Sequence, residues 1–260
     1  MVGPRVALMF CTAWTDGVAQ GPVEAGLVDG DLGGAHRVCP ATTLGLTPAA
    51  YAIIEPENLY GRILATGTLT GSWAVNDRLE LYARLEAVRM DMLISAISTS
   101  ALGPGYTAVG ASWRGVDGDN WALAVQGKLV LPTAFLHDEH GAPLAADAGV
   151  QFVWAARDTL LVHAAVMPNV GLALGGGPLY PRLGVNVDAG AEWRAFPRFS
   201  FVLDGISAFG RTDTLDYAGV GVGFRGGIGE HAGLALEARL PLVGRERALT
   251  SVDIRFDWRF

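Results

Sequence analysis

The stretch Ser251-Val252-Asp253-Ile254-Arg255-Phe256-Asp257-Trp258-Arg259-Phe260 decides the fold. On an extended chain successive side chains point to opposite faces. Val252, Ile254, Phe256, Trp258 and Phe260 therefore share one face, which is wholly apolar. Ser251, Asp253, Arg255, Asp257 and Arg259 share the other, which is wholly polar. The segment reads as a two-sided strand.

A strand that ends on an aromatic and carries charges at Asp253, Arg255, Asp257 and Arg259 resembles the C-terminal strand of Gram-negative outer-membrane β-barrels. That strand ends in Phe and is read by the barrel assembly machinery. The resemblance implies an all-β fold, a closed antiparallel transmembrane β-barrel whose apolar face meets lipid and whose charged face lines a lumen. It also implies outer-membrane lipid and the assembly machinery as partners, and the cell outer membrane of a Gram-negative bacterium as location.

Composition points the same way. Of 260 residues, 50% are hydrophobic and 17% charged, and the 35 glycines are spread through extended segments rather than helical ones. Two long stretches lack Asp, Glu, Lys and Arg, Met92 to Trp113 and Thr159 to Pro181. Ser and Gly/Pro breaks in the first, and His163, Pro168, Asn169 and Gly175 to Gly177 in the second, exclude spanning helices of about 20 apolar residues. A membrane protein without such helices crosses as a closed barrel. The net charge of −7, without any dense Lys/Arg cluster, argues against nucleic acid as a partner. Cys11 and Cys39 make no disulfide framework.

Residues 1–19 are expected to be a signal peptide, with Arg5 at the positive start, Val6 to Trp14 as apolar core and Gly17-Val18-Ala19 as cleavage site. Residues 20–40, rich in Gly and Asp, read as a flexible periplasmic lead-in. The barrel is expected over 41–260. A first strand is placed at Thr42 to Ile54, and eleven more follow from Arg62. Twelve strands are expected, with ten or fourteen as alternatives. A phase change at Ala87-Val88 predicts a β-bulge. Tight turns are placed at Asn76, Asp117, Arg157, Pro197 and Glu230. Longer connections are placed at Ser95 to Pro104, Pro132 to Ala146, Gly171 to Pro181 and Gly210 to Asp216. Aromatics near strand ends, among them Tyr60, Trp73, Trp113, Trp121, Trp154, Trp193, Phe199, Trp258 and Phe260, fit a membrane-interface girdle.

The alternation directs a mixed set of charges inward: Arg62, Arg84, Arg114, Lys128, Arg194, Arg225, Arg239, Arg255 and Arg259 against Glu80, Glu86, Asp188, Glu192, Asp204, Glu237, Asp253 and Asp257, with His163 beside them. Two readings stand. The charges pair across neighbouring strands and keep a wet interior soluble, or they form opposed rings along a permeation path. They are the candidates for solute contact. With both signs present, no ion selectivity follows.

Catalysis needs a hydroxyl, a base and an orienting group together. Some outer-membrane barrels are lipid hydrolases, but His163 faces inward and no serine motif accompanies it. His137, Asp138, Glu139 and His140 share one loop and read as a solvated run rather than a metal site. Gly175 to Gly177 and the Gly219/Gly221/Gly223 series lack the strand, loop and helix context of a phosphate site. No catalytic residue, metal or cofactor is expected. The function expected is a passive channel for small solutes. The alternatives are a non-conducting structural or adhesion barrel whose loops bind a partner, and a lipid-modifying enzyme.

Overall fold

The structure is a computed structural model that describes residues 42–55, 60–94, 99–118, 120–131, 133, 141–157, 159–175, 182–196, 199–209, 217–228, 232–244 and 248–260. The expected signal, the lead-in, both cysteines and the His137 to His140 run lie outside them. The strands are β1 (Thr43–Glu55), β2 (Tyr60–Ala74), β3 (Leu79–Ile94), β4 (Thr99–Gly103), β5 (Thr107–Asp117), β6 (Trp121–Leu131), β7 (Gly141–Arg157), β8 (Leu160–Gly175), β9 (Arg182–Phe196), β10 (Phe199–Phe209), β11 (Tyr217–Ile228), β12 (Ala232–Gly244) and β13 (Ala248–Arg259).

Sequential strands pair antiparallel, and β13 returns to β1 through Leu44↔Trp258 and Ala50↔Val252. The sheet is thereby closed, which leaves no unpaired edge to face hydrocarbon. β4 pairs with Arg89–Leu93 and β5 with Leu79–Leu85 of the same β3. They are two halves of one wall strand, so the barrel has twelve strands, as the pattern predicts.

The closing stretch behaves as its alternation requires. Trp258 is 50% exposed on the outside, whereas Asp253, only 3% exposed, points inward. Leu69, Trp73, Leu81, Leu85, Val109, Trp113, Phe201, Leu203 and Val222 extend the apolar exterior around the wall. No described helix is long and apolar enough to cross a membrane; an apolar outer band on a closed wall is the form in which a β-barrel crosses one.

The predicted bulge is present. Gly67 pairs with Val88 and Thr68 with Glu86, so Ala87 is the extra residue. Further register shifts, not expected from sequence, occur in other strand pairs; in β12, Ala218 faces Val243 and Gly219 faces Pro241, which leaves Leu242 unopposed. Leu242 and Val243 both face outward.

Three of the expected long connections are shorter than the sequence suggests. Within Ser95 to Pro104, residues 99–103 form β4. Within Pro132 to Ala146, β7 begins at Gly141 and pairs with β8 from Gly141↔Gly175 onward. Within Gly171 to Pro181, β8 continues to Gly175. Gly-, Ala- and Pro-rich segments look like loops because they lack a strong apolar stripe, yet backbone pairing with the neighbouring strand holds them extended.

The links fall on two ends. β2 and β3 join through 75–78, where Asn76 Oδ1 accepts from the backbone N–H of Arg78 and of Leu79, both at 2.8 Å. The links after β5, β7, β9 and β11 are also brief and lie at this end. Every tryptophan of the wall, Trp73, Trp113, Trp121, Trp154, Trp193 and Trp258, sits close to it and is exposed. Trp193 stacks on Phe201 at 5.9 Å between ring centroids, and Phe199 stacks on Phe224 at 5.6 Å. The girdle is thus a band at the short-turn rim, where an amphipathic ring bridges hydrocarbon and headgroups.

Candidate functional site: the lumen

Each inward charge is carried by a wall strand, and the pleat sets its direction. Glu80, Arg84, Glu86, Lys128, His163, Asp188, Glu192, Asp204, Arg225, Glu237, Arg239, Asp253, Arg255 and Asp257 are all buried inside the barrel. Arg114 and Arg194 are partly exposed. Arg62 and Arg259 stand in β2 and β13, with side chains outside the described set.

Opposite charges meet where register or spacing brings them together. Lys128 on β6 is directly opposite Asp147 on β7, and their side chains pair at 3.0 Å. Glu192 on β9 accepts from Arg225 Nη1 at 2.7 Å and shares a 2.6 Å hydrogen bond with the Ser200 hydroxyl. Arg239 donates to Glu237 at 2.6 Å, and Arg255 to Asp257 at 2.7 Å, each pair two residues apart on one face of one strand. The amide of Gln151 donates to Gln126 across the β6–β7 pair, and Gln126 contacts the Met167 sulfur at 3.2 Å. The interior is therefore cross-linked from strand to strand.

A second cluster surrounds the bulge. Glu86 Oε2 accepts the Tyr106 backbone N–H at 2.9 Å, and the Arg89 guanidinium lies over the Tyr106 ring, 5.1 Å from its centroid. Gly105 is needed here: a Cβ at that position would overlap the Glu86 carboxylate. Beyond it the lumen turns apolar, with Tyr106, Ala108, Val130 and Ala145 packed together, and Met167 against Ile206.

The third cluster lies on β8, β9 and β10. His163 and Asp204 both stand opposite Gly190, one on each neighbouring strand. Because Gly190 has no side chain, their tips meet over it, His163 Nε2 to Asp204 Oδ1 at 3.0 Å. Asp188, two residues from Gly190, brings its Oδ1 to 3.4 Å from the same nitrogen. One imidazole nitrogen and two carboxylates form a group of three potential metal ligands.

Several inward residues escape a sequence reading of the site. Asp147 lies between the expected connection Pro132 to Ala146 and the strand pattern that starts at Val150, and is assigned to neither. Arg89 falls on the polar face once the phase changes at Ala87-Val88, yet it is missing from the candidate contacts. Alternation puts Gln126 and Gln151 on the inward face, but being uncharged they are missing from the candidate contacts. The apolar residues Leu64, Val130, Met167 and Ile206 are also inward and are missing from the charge-based candidates.

No protein-family model matches the chain, and no curated relative is found. Solved structures do share its shape. The COG4313 outer membrane channel from Pseudomonas putida F1 is 13% identical, with a TM-score of 0.65 over 85% of this chain and 96% of that one. The KdgM porin in complex with disordered oligogalacturonate is 9% identical, with a TM-score of 0.56 over 83% and 99%. The translocator domain of the autotransporter NalP from Neisseria meningitidis is 9% identical, with a TM-score of 0.57 over 85% and 88%. Similarity at this identity is similarity of fold: the chain has the outer-membrane β-barrel fold.

Proposed function

We propose that this protein is a passive channel for small solutes in the outer membrane of a Gram-negative bacterium. The observation that carries the reading is the closed twelve-strand wall with an apolar exterior and a charged interior of both signs. A wall of this kind has hydrocarbon on one side and gives polar solutes a path on the other. The inward charges from Glu80 to Asp257 are the proposed solute contacts, and Phe260 with the apolar face of β13 is the proposed docking segment for the assembly machinery. The similarity in fold to an outer membrane channel and to a porin supports this reading. Catalysis is no part of it: His163 is inside, whereas a lipid-cleaving site has to open to the outer wall.

One observation favours a second reading, a non-conducting structural barrel. Gln151 and Ser200 are 0% exposed, so the interior side chains pack against one another in mid-barrel. Single-channel recording of the folded protein in planar bilayers separates the two. Steady current steps support the channel, and a silent bilayer containing demonstrably inserted protein supports the structural barrel.

A further inference from the structure

We propose that His163, Asp188 and Asp204 form a binding site for one divalent transition-metal ion of the zinc class inside the barrel. The inference concerns the wall of β8, β9 and β10 and does not depend on conduction.

Geometry is the first ground. With metal–ligand bonds of about 2.0–2.1 Å and tetrahedral angles, two donors on one zinc ion lie about 3.3 Å apart. His163 Nε2 is 3.0 Å from Asp204 Oδ1 and 3.4 Å from Asp188 Oδ1. All three donor atoms lie within 4.8 Å of one another. Small shifts bring the three onto one ion.

The second ground is what a hydrogen-bonded arrangement leaves unmet. One imidazole nitrogen carries at most one proton, and here two carboxylate oxygens converge on it. Asp188 Oδ1 accepts no hydrogen bond among the described residues, although the side chain is only 4% exposed. Its 3.4 Å contact with His163 lies beyond the usual N–H···O range of roughly 2.7–3.2 Å. Metal ligation requires the imidazole without its proton, and the two carboxylates then bring two negative charges, which one divalent ion balances.

Gly190 is the third ground. A Cβ there would meet Asp204 Oδ1, the Leu203 carbonyl oxygen and His163 Cε1 closer than van der Waals contact allows, so the glycine keeps open the space into which the ligands converge. An imidazole with two carboxylates suits zinc, cobalt or nickel, whereas calcium and magnesium favour all-oxygen sites.

The test uses the full chain folded in detergent and stripped of metal by chelation. Titration with Zn2+ by calorimetry and with Co2+ by visible absorption is expected to show one equivalent bound, with an imidazole–carboxylate Co2+ spectrum. Asp188→Asn and Asp204→Asn are each expected to weaken Zn2+ binding about tenfold or more. His163→Cys, which keeps a ligand, is expected to retain Co2+ and add a sulfur-to-metal charge-transfer band. His137→Gln/His140→Gln, which alters the separate loop run, is expected to bind as the parent does. Absence of stoichiometric binding by the parent chain overturns the proposal even if no variant folds. So does binding that survives both Asn substitutions or disappears in the loop variant.

Discussion

Glu86 and Arg89 are three residues apart on β3, yet both point into the lumen, their charged groups 3.9 Å apart. Strict alternation would place them on opposite faces. The extra residue Ala87, bulged outward beside Val88, restores the inward direction. The bulge thus sets a buried acid beside a buried base and against the ring of Tyr106.

Glu86→Ala is expected to destabilise the barrel by about 1–3 kcal/mol. The substitution leaves the Tyr106 N–H without its carboxylate acceptor and removes the counter-charge of Arg89. Urea unfolding of the micelle-bound protein, followed by tryptophan fluorescence, measures the loss. A midpoint equal to the parent's would show that this cluster contributes nothing.

Glycines in the wall separate into those that must lack a side chain and those that need not. Gly190→Ala forces a methyl against the Leu203 carbonyl and the His163 ring, and overpacking of this kind costs about 1–3 kcal/mol. Gly71→Ala places its methyl in open space and is expected to unfold at the parent's midpoint. Equal midpoints for the two variants would contradict the packing described around Gly190.

A lipid-facing charge has a cost that depends on depth. Leu85 is exposed on the outer wall midway along the paired part of β3, whereas Val75 lies in the turn at the tryptophan rim. Leu85→Arg is expected to lose about 2–4 kcal/mol and Val75→Arg about 0–1 kcal/mol. Folding equilibria in lipid vesicles give both values. A reversed order would mean that the barrel sits at a different height in the bilayer.

Lys128→Gln removes the cation opposite Asp147 and leaves a bare carboxylate at the lumen wall. If the lumen conducts, the reversal potential under a salt gradient is expected to move toward cation preference relative to the parent. An unchanged reversal potential would place Lys128 and Asp147 off the permeation path.

The sequence by itself determined the wall. Period-two alternation of apolar and polar residues is a local property, because the pleat alone decides which way a side chain points. It placed the inward charges, the outward aromatics and even the bulge at Ala87-Val88 without any knowledge of neighbouring strands. β4 and the first residues of β7 escaped this signal, since Ser, Gly and Ala carry little stripe and are held extended by pairing alone. The tertiary structure decided what the inward residues do to one another. The closure of β13 on β1, the packing that buries the lumen charges, and the meeting of His163, Asp188 and Asp204 over Gly190 all depend on inter-strand register. Register is set by backbone hydrogen bonds between segments distant in the chain, and no single segment encodes it.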